Sequence, residues 1–366
     1  MRHLMVVSII AFLLSAVVED AQANVQYSLT DLGTLGTYQC IATAVNDSGQ
    51  VAGYASFPDG TQHAFLYSNG AATDLGTLYG ATRMRATGID SAGQVVGSGY
   101  TKAKGYFAFS YSNGTLSDLG TFPSARYSSA YANAINDSGQ VAGMGYTASG
   151  AAHGFVCTDG AFTDVGVLPN YPSGSEATAI NDSRQVAGYA EDPSGVDRAF
   201  LYNNGEMTDL GTLGGASSRA NGINDIGQVV GVAATVSSGG HAFLYTSGNM
   251  TDLGMLPGCS STTAEDINNS GQIVGFAYAN GFGDYAFVYR DGAMSKLDDL
   301  IDPTLGWHLF AANAINDNGC IVGSGVAPGS GQHAYLLTPI PEPSTLALLG
   351  IGAVSLFGYA WRRRRA

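Results

Sequence analysis

The stretch AINDSGQVAG, residues 134–143, reads either as a cluster of polar ligands or as a tight turn. It recurs as AVNDSGQVAG from Ala44, GIDSAGQVVG from Gly88, AINDSRQVAG from Ala179, GINDIGQVVG from Gly222, DINNSGQIVG from Asp266 and AINDNGCIVG from Ala314. Small and β-branched residues lead into Asn-Asp-Ser-Gly and Gln-Val-Ala-Gly leads out, which predicts a hairpin: a type I turn followed by a left-handed glycine. Asn136 and Asp137 suit the turn by bonding the local backbone, and Gly139 supplies the positive φ. No ligand is needed to explain them, and the Asp-rich spacing of a calcium loop is absent. Arg184 takes the glycine position in the fourth copy, at a cost on the order of 1 kcal/mol if the turn type is kept.

The seven copies are spaced by 44, 46, 45, 43, 44 and 48 residues. A second hairpin follows each turn, as in HAFLYSNGAATDLGTL from His63, with an aromatic strand, an Asn-Gly turn and a strand ending in Asp-Leu-Gly. Its first strand recurs around Phe65, Phe109, Phe155, Phe200, Phe243, Phe287 and Tyr335. The second recurs out of phase, with Asp31 ahead of any full repeat and Asp74, Asp118, Asp164, Asp209, Asp252 and Asp299 after it. A period near 45 with four short strands predicts an all-β, seven-bladed β-propeller, in which residues 25–36 supply the strand missing from the last blade. A parallel β-solenoid is the alternative, but it needs no complementary terminal strands.

Both ends read as addresses. Arg2 and His3, the apolar run Leu4–Val18 and Ala21-Gln22-Ala23 form a signal peptide over residues 1–23, cut by signal peptidase. Residues 24–339 are then the propeller and 340–366 a tail. The tail holds Pro341-Glu342-Pro343, an apolar stretch from Ser344 to Trp361, and the cluster Arg362, Arg363, Arg364 and Arg365. Such a stretch makes about 27 Å of helix, enough to span a bilayer, with the arginines on the cytoplasmic side. This three-part tail closely resembles the PEP-CTERM sorting signal of Gram-negative bacteria. The resemblance implies handling by an exosortase, transient anchoring in the inner membrane, and delivery to the cell surface or extracellular matrix.

The chain is 45% hydrophobic, 12% charged and carries a net charge of −14, so it can bury a large core. Without residues 1–23 and the terminal arginines, 10 basic and 27 acidic side chains remain, a net charge of about −17. That balance disfavours nucleic acid and anionic membrane surfaces as partners. Cys40, Cys157, Cys259 and Cys320 have no CxxC spacing and specify no disulfide framework. The His-Ala-Phe triplets at His63, His241 and His333, with Asn-Asp-x-Gly-Gln and Asp-Leu-Gly, resemble the extracellular HAF repeat of bacterial surface proteins. That resemblance implies surface location and brings no catalytic residues or cofactor.

Candidate sites follow from the ring. His63, His153, His241 and His333 share a column with Phe107, Arg198 and Tyr285; on separate blades they cannot meet at one metal, and each is expected to pack against a neighbouring blade. The polar column Thr43, Thr87, Asn133, Thr178, Asn221, Glu265 and Asn313 is expected to line an axial channel. The alanine before each is expected to allow close packing at the axis. The variable loops of one face contain Tyr38, Tyr79, Arg83, Arg85, Tyr127, Tyr171, Trp307 and His308, an aromatic and basic set that suits a glycan or a protein partner. The expectation is a non-catalytic surface or matrix protein that binds exopolysaccharide or another surface protein. An extracellular polysaccharide-degrading enzyme, for which Glu265, Arg85 and His308 are the only candidates, and a purely structural coat protein are the alternatives.

Overall fold

The computed structural model describes residues 27–33, 35, 39–122, 129–237, 239–279, 283–329 and 331–341. The proposed signal peptide, Tyr38, Tyr127, Glu342, Pro343 and Arg362–Arg365 lie outside the described residues. The repeats fold as antiparallel meanders. In the first, Gln39–Val45 pairs with Val51–Ser56, that strand with Gln62–Ser68, and that with Ala71–Asp74.

Turn chemistry explains why the chain reverses where it does. The Asn46 N–H donates to Gln50 O at 3.1 Å, the Gly49 N–H donates to Asn46 O at 2.9 Å, and Gly49 has φ +74°. Arg184 is held at φ +63° with its N–H 3.0 Å from Asn181 O, so the strained copy keeps the same turn. The second hairpin turns on Asn69 (φ +54°) and Gly70 (φ +82°), the primed geometry whose twist matches the strands it joins.

Packing is between meanders rather than around one centre. Phe65, Phe109, Phe155, Phe200, Phe243, Phe287 and Tyr335 are fully buried. Room for them comes from the last glycine of each Gln-Val-Ala-Gly: a Cβ on Gly53 would sit 2.2 Å from Ile41 O and 2.7 Å from the Phe65 ring. Each core joins two adjacent repeats, as where Ala52 and Ala64 meet Met84, Phe107 and Phe109. The alanines before the polar column, Ala42, Ala86, Ala132, Ala177, Ala220, Ala264 and Ala312, are wholly buried in these cores. Alternation along the strand turns them to the sheet face that packs on the neighbouring repeat.

The two ends of the repeat array meet. Tyr27–Asp31 pairs antiparallel with Gln332–Pro339, from Tyr27 opposite Pro339 to Asp31 opposite Tyr335. Leu32, Val322 and Ala334 share a core with Cys40, Val51 and Phe65. One column differs from the sequence reading: Lys296, not Asp299, stands opposite Phe287, where Asp252 stands opposite Phe243. Asp299 lies in a short 3-10 helix, Leu297–Leu300, inserted before the last inner strand. All four cysteines are free. Among the described residues no helix is long and apolar enough to cross a membrane; the proposed spanning stretch lies beyond them.

Candidate functional site

The polar column owes its direction to a backbone irregularity. In every inner strand the pairing register skips one residue, between Ala42 and Ala44, Ala86 and Gly88, Ala132 and Ala134, Ala177 and Ala179, Ala220 and Gly222, Ala264 and Asp266, and Ala312 and Ala314. The skipped residues are Thr43, Thr87, Asn133, Thr178, Asn221, Glu265 and Asn313. A bulge re-aims the side chain it leaves unpaired. These seven line one cavity of about 220 Å³.

They are also fasteners. Thr43 donates to Ala86 O (3.0 Å), Thr87 to Ala132 O (2.9 Å), Asn133 to Ala177 O (2.9 Å), Thr178 to Ala220 O (2.9 Å), Asn221 to Ala264 O (2.8 Å) and Asn313 to Ala42 O (2.7 Å). The seventh position is Glu265, which has no proton to donate when ionised. Beside it, Asp266 replaces the alanine or glycine of the other repeats and accepts from the N–H groups of Ile267 (2.8 Å) and Ile315 (2.9 Å). Burial first, and the neighbouring Asp266 second, push the Glu265 carboxyl up to about 7. Burial pushes Asp266 up to about 7 against the lowering effect of its two N–H donors.

Next along these strands come Val45, Ile89, Ile135, Ile180, Ile223, Ile267 and Ile315, which line a second cavity of about 180 Å³ among the Asn-Asp turns; the first five of them border the polar-column cavity as well. At that end Asn46, Asn136, Asn181, Asn224, Asn268 and Asn316 each donate through Nδ2 to the main-chain oxygen of the next repeat, at 2.8–3.1 Å, and the Asn316 bond returns to Asn46. Position 90 is an aspartate and supplies no such donor. The following aspartates also reach across: Asp137 Oδ1 accepts from the Ser91 N–H (2.8 Å) and Asp47 Oδ1 from the Asp317 N–H (2.9 Å). The asparagines therefore do bond their own turn, as Asn136 Oδ1 does with the Gln140 N–H at 2.9 Å, whereas the aspartates bond the neighbouring one. A preceding turn lies within reach because the turns of successive repeats line one cavity.

The histidines have carboxylate partners that the sequence reading did not name. Each Nδ1 of His63, His153, His241 and His333 lies 2.7–2.9 Å from a carboxylate oxygen, of Asp74, Asp164, Asp252 and Asp31 respectively. The Asp Oδ1 also caps the backbone two residues on, as in Gly76 N–H to Asp74 at 2.8 Å. The sixth repeat replaces both partners together: Lys296 Nζ stands 3.5 Å over the Tyr285 ring. Among the described residues no three His, Cys, Asp or Glu side chains are grouped to hold a metal.

On the opposite face the proposed binding residues separate. Tyr79 is 61% exposed and donates to Asp118 Oδ2 at 3.1 Å, with Lys104 over its ring. Tyr171 accepts from Arg198 Nε at 2.8 Å, Trp307 packs edge-on to His333 at 5.9 Å, and His308 Nδ1 lies 2.8 Å from Asp298. Arg83 and Arg85 share a cleft of about 210 Å³ with Tyr100, Tyr106 and Tyr131. Thr87 and Asn133 border both this cleft and the channel cavity. The three tyrosines escaped the sequence reading because they sit on strands, not on the loops that differ most between repeats.

Residues 339–365 match the PEP-CTERM protein-sorting motif. The chain thus carries the signal of exosortase-sorted proteins exported to the surface of Gram-negative bacteria. No curated protein matches the sequence. Among solved structures, a puromycin-hydrolyzing peptidase of Mycobacterium tuberculosis is similar at 10% identity and a TM-score of 0.54, over 87% of this chain and 56% of that one. YCF48 bound to a D1 peptide is similar at 10% identity and a TM-score of 0.52, over 87% of this chain and 97% of that one. TolB from Acinetobacter baumannii aligns at 12% identity and a TM-score of 0.46, over 80% of each chain. The two likenesses with a TM-score above 0.5 concern the fold alone, an all-β, propeller-like arrangement.

Proposed function

We propose that the chain is a seven-bladed propeller of HAF-type repeats, closed by its N-terminal strand, that binds exopolysaccharide or another surface component without catalysis. Closure is supported by the pairing of Tyr27–Asp31 with Gln332–Pro339 and by the donors of Asn313 and Asn316 returning to the first repeat. Exosortase and signal peptidase are its processing partners, with the C-terminal helix passing through the inner membrane. The observation that carries the binding reading is the cleft where Arg83 and Arg85 meet three tyrosines on the face opposite the Asn-Asp turns. Glu265, Arg85 and His308 favour no acid-base chemistry, since one sits at the channel, one in the cleft and one on Asp298. The test is sedimentation of the purified full chain with the host's own extracellular polysaccharide. Saturable co-sedimentation without release of shortened sugars is expected; no association points to a structural coat, and shortened sugars to an enzyme.

A further inference from the structure

The cleft is built across three adjacent strands and one neighbouring repeat. Arg83 and Arg85 lie two apart on Arg83–Ile89 and so project to one side of the sheet. Arg83 pairs in register with Tyr100, and Tyr100 with Tyr106. The Tyr100 and Tyr106 rings lie 4.9 Å apart, and Tyr106 reaches Tyr131 of the next repeat at 4.7 Å. Arg85 is held in place: its Nε donates to Gln62 Oε1 at 2.8 Å and its guanidinium stands 4.7 Å over the Tyr54 ring. Neither contact neutralises its charge.

Three of the other basic side chains among the described residues are compensated by carboxylates. Lys104 is bridged to Asp118, Arg198 to Asp209 and Arg219 to Asp197. Among the described residues no carboxylate lies within salt-bridge distance of Arg83 or Arg85, although the chain carries 29 acidic residues against 15 basic ones. Two exposed, fork-shaped cations beside tyrosine rings combine two recognition chemistries. Guanidinium groups pair with planar carboxylates in bidentate fashion, and tyrosine offers a flat apolar face with a polar edge. A volume of about 210 Å³ is smaller than a drug-sized pocket and suits one sugar ring.

From this we propose that the Arg83–Arg85 cleft binds a carboxylate-bearing sugar residue of an acidic polysaccharide, the ring lying on the tyrosines and the carboxylate on the arginines. This rests on the glycan-binding reading above and names the class of glycan. The acidic remainder of the chain repels the same polymer elsewhere, which confines binding to the cleft.

The experiment measures binding of the full chain, in detergent, to polygalacturonate, to its methyl-esterified neutral form, to dextran and to dextran sulfate. Polygalacturonate is expected to bind, the methyl ester and dextran at least about tenfold more weakly, and raised salt to weaken the acidic polymer alone. Arg83→Gln and Arg85→Gln are each expected to lose about tenfold, and Tyr106→Leu to weaken binding at every salt concentration. Equal binding of the acid and the methyl ester, untouched by the arginine changes, overturns the carboxylate assignment while leaving a glycan-binding protein. Dextran sulfate binding as tightly as polygalacturonate overturns it too, since the site then reads charge alone. No binding to any glycan, including the host's own polymer, removes both readings.

Discussion

Replacing Glu265 by glutamine tests whether the channel lining is a ring of donors with one defective link. Both Glu265 and Asp266 have carboxyls pushed up to about 7, chiefly by burial, above ordinary values of 4.5 and 3.8. The folded chain therefore keeps protons that the unfolded chain sheds between about pH 4 and pH 7. Stability from these groups is fully present below about pH 4 and is lost as pH rises toward 7. A shift of this size on Glu265 amounts to roughly 3 kcal/mol at most, and sharing with Asp266 reduces what one substitution recovers to about 2 kcal/mol. Glutamine also brings an N–H to the place where six other repeats donate to an Ala oxygen. In a chain of this length about 2 kcal/mol raises Tm by about 3 °C. Thermal unfolding of the full chain in detergent between pH 4 and pH 8 should show Glu265→Gln about 3 °C higher than wild type at pH 8 and level with it at pH 4. An equal difference at both pH values, or a less stable variant at pH 8, would show that ionisation of Glu265 does not weaken the fold.

Three further outcomes are expected. Asp90→Asn supplies the missing donor to Asn136 O and removes a carboxylate whose titration burial has raised, so unfolding should show a gain of about 1 kcal/mol; a loss would mean the asparagine bonds do not act between repeats. Removing residues 24–36 strips buried Tyr27 and Leu32 from their cores and leaves Gln332–Pro339 unpaired on one side. Light scattering should then report aggregation and unfolding a loss of several kcal/mol, on the order of 2 for each buried side chain; unchanged behaviour would refute closure. Replacing Pro341-Glu342-Pro343 by alanines should leave the chain in the inner membrane on fractionation, and arrival at the surface would reduce the tail to an anchor.

The framework was legible because its signals are local. Turn residues such as Asn136 and Gly139, the Phe65 column and the spacing of repeats report strand ends and buried faces without any knowledge of partners. What was not legible depends on which residues meet across repeats. Asp137 looks like an ordinary turn aspartate, yet its partner is the Ser91 N–H. His63 and Asp74 lie 11 residues apart on paired strands, so their contact needs the register of the hairpin and not only its existence. Lys296 was hidden by Asp299, because the inserted 3-10 helix shifts the column by three places. The cleft is the clearest case. Tyr131 occupies the same repeat position as Arg85, and equivalence in a repeat says nothing about neighbours in space. The polar column, in contrast, was singled out by its invariable place before the turn, while the bulge that aims it inward is a backbone feature no residue type announces.

Retention through the face opposite the Asn-Asp turns, with those turns as scaffold, is the property that decides the proposed function. It is tested most directly in the host by measuring how much of the mature chain stays in the extracellular matrix and how much is shed into the medium. The Arg83→Gln/Arg85→Gln double variant should be shed, while Ser138→Ala on the turn face should be retained like wild type. Retention of the double variant at the wild-type level would place the binding surface away from the Arg83–Arg85 cleft.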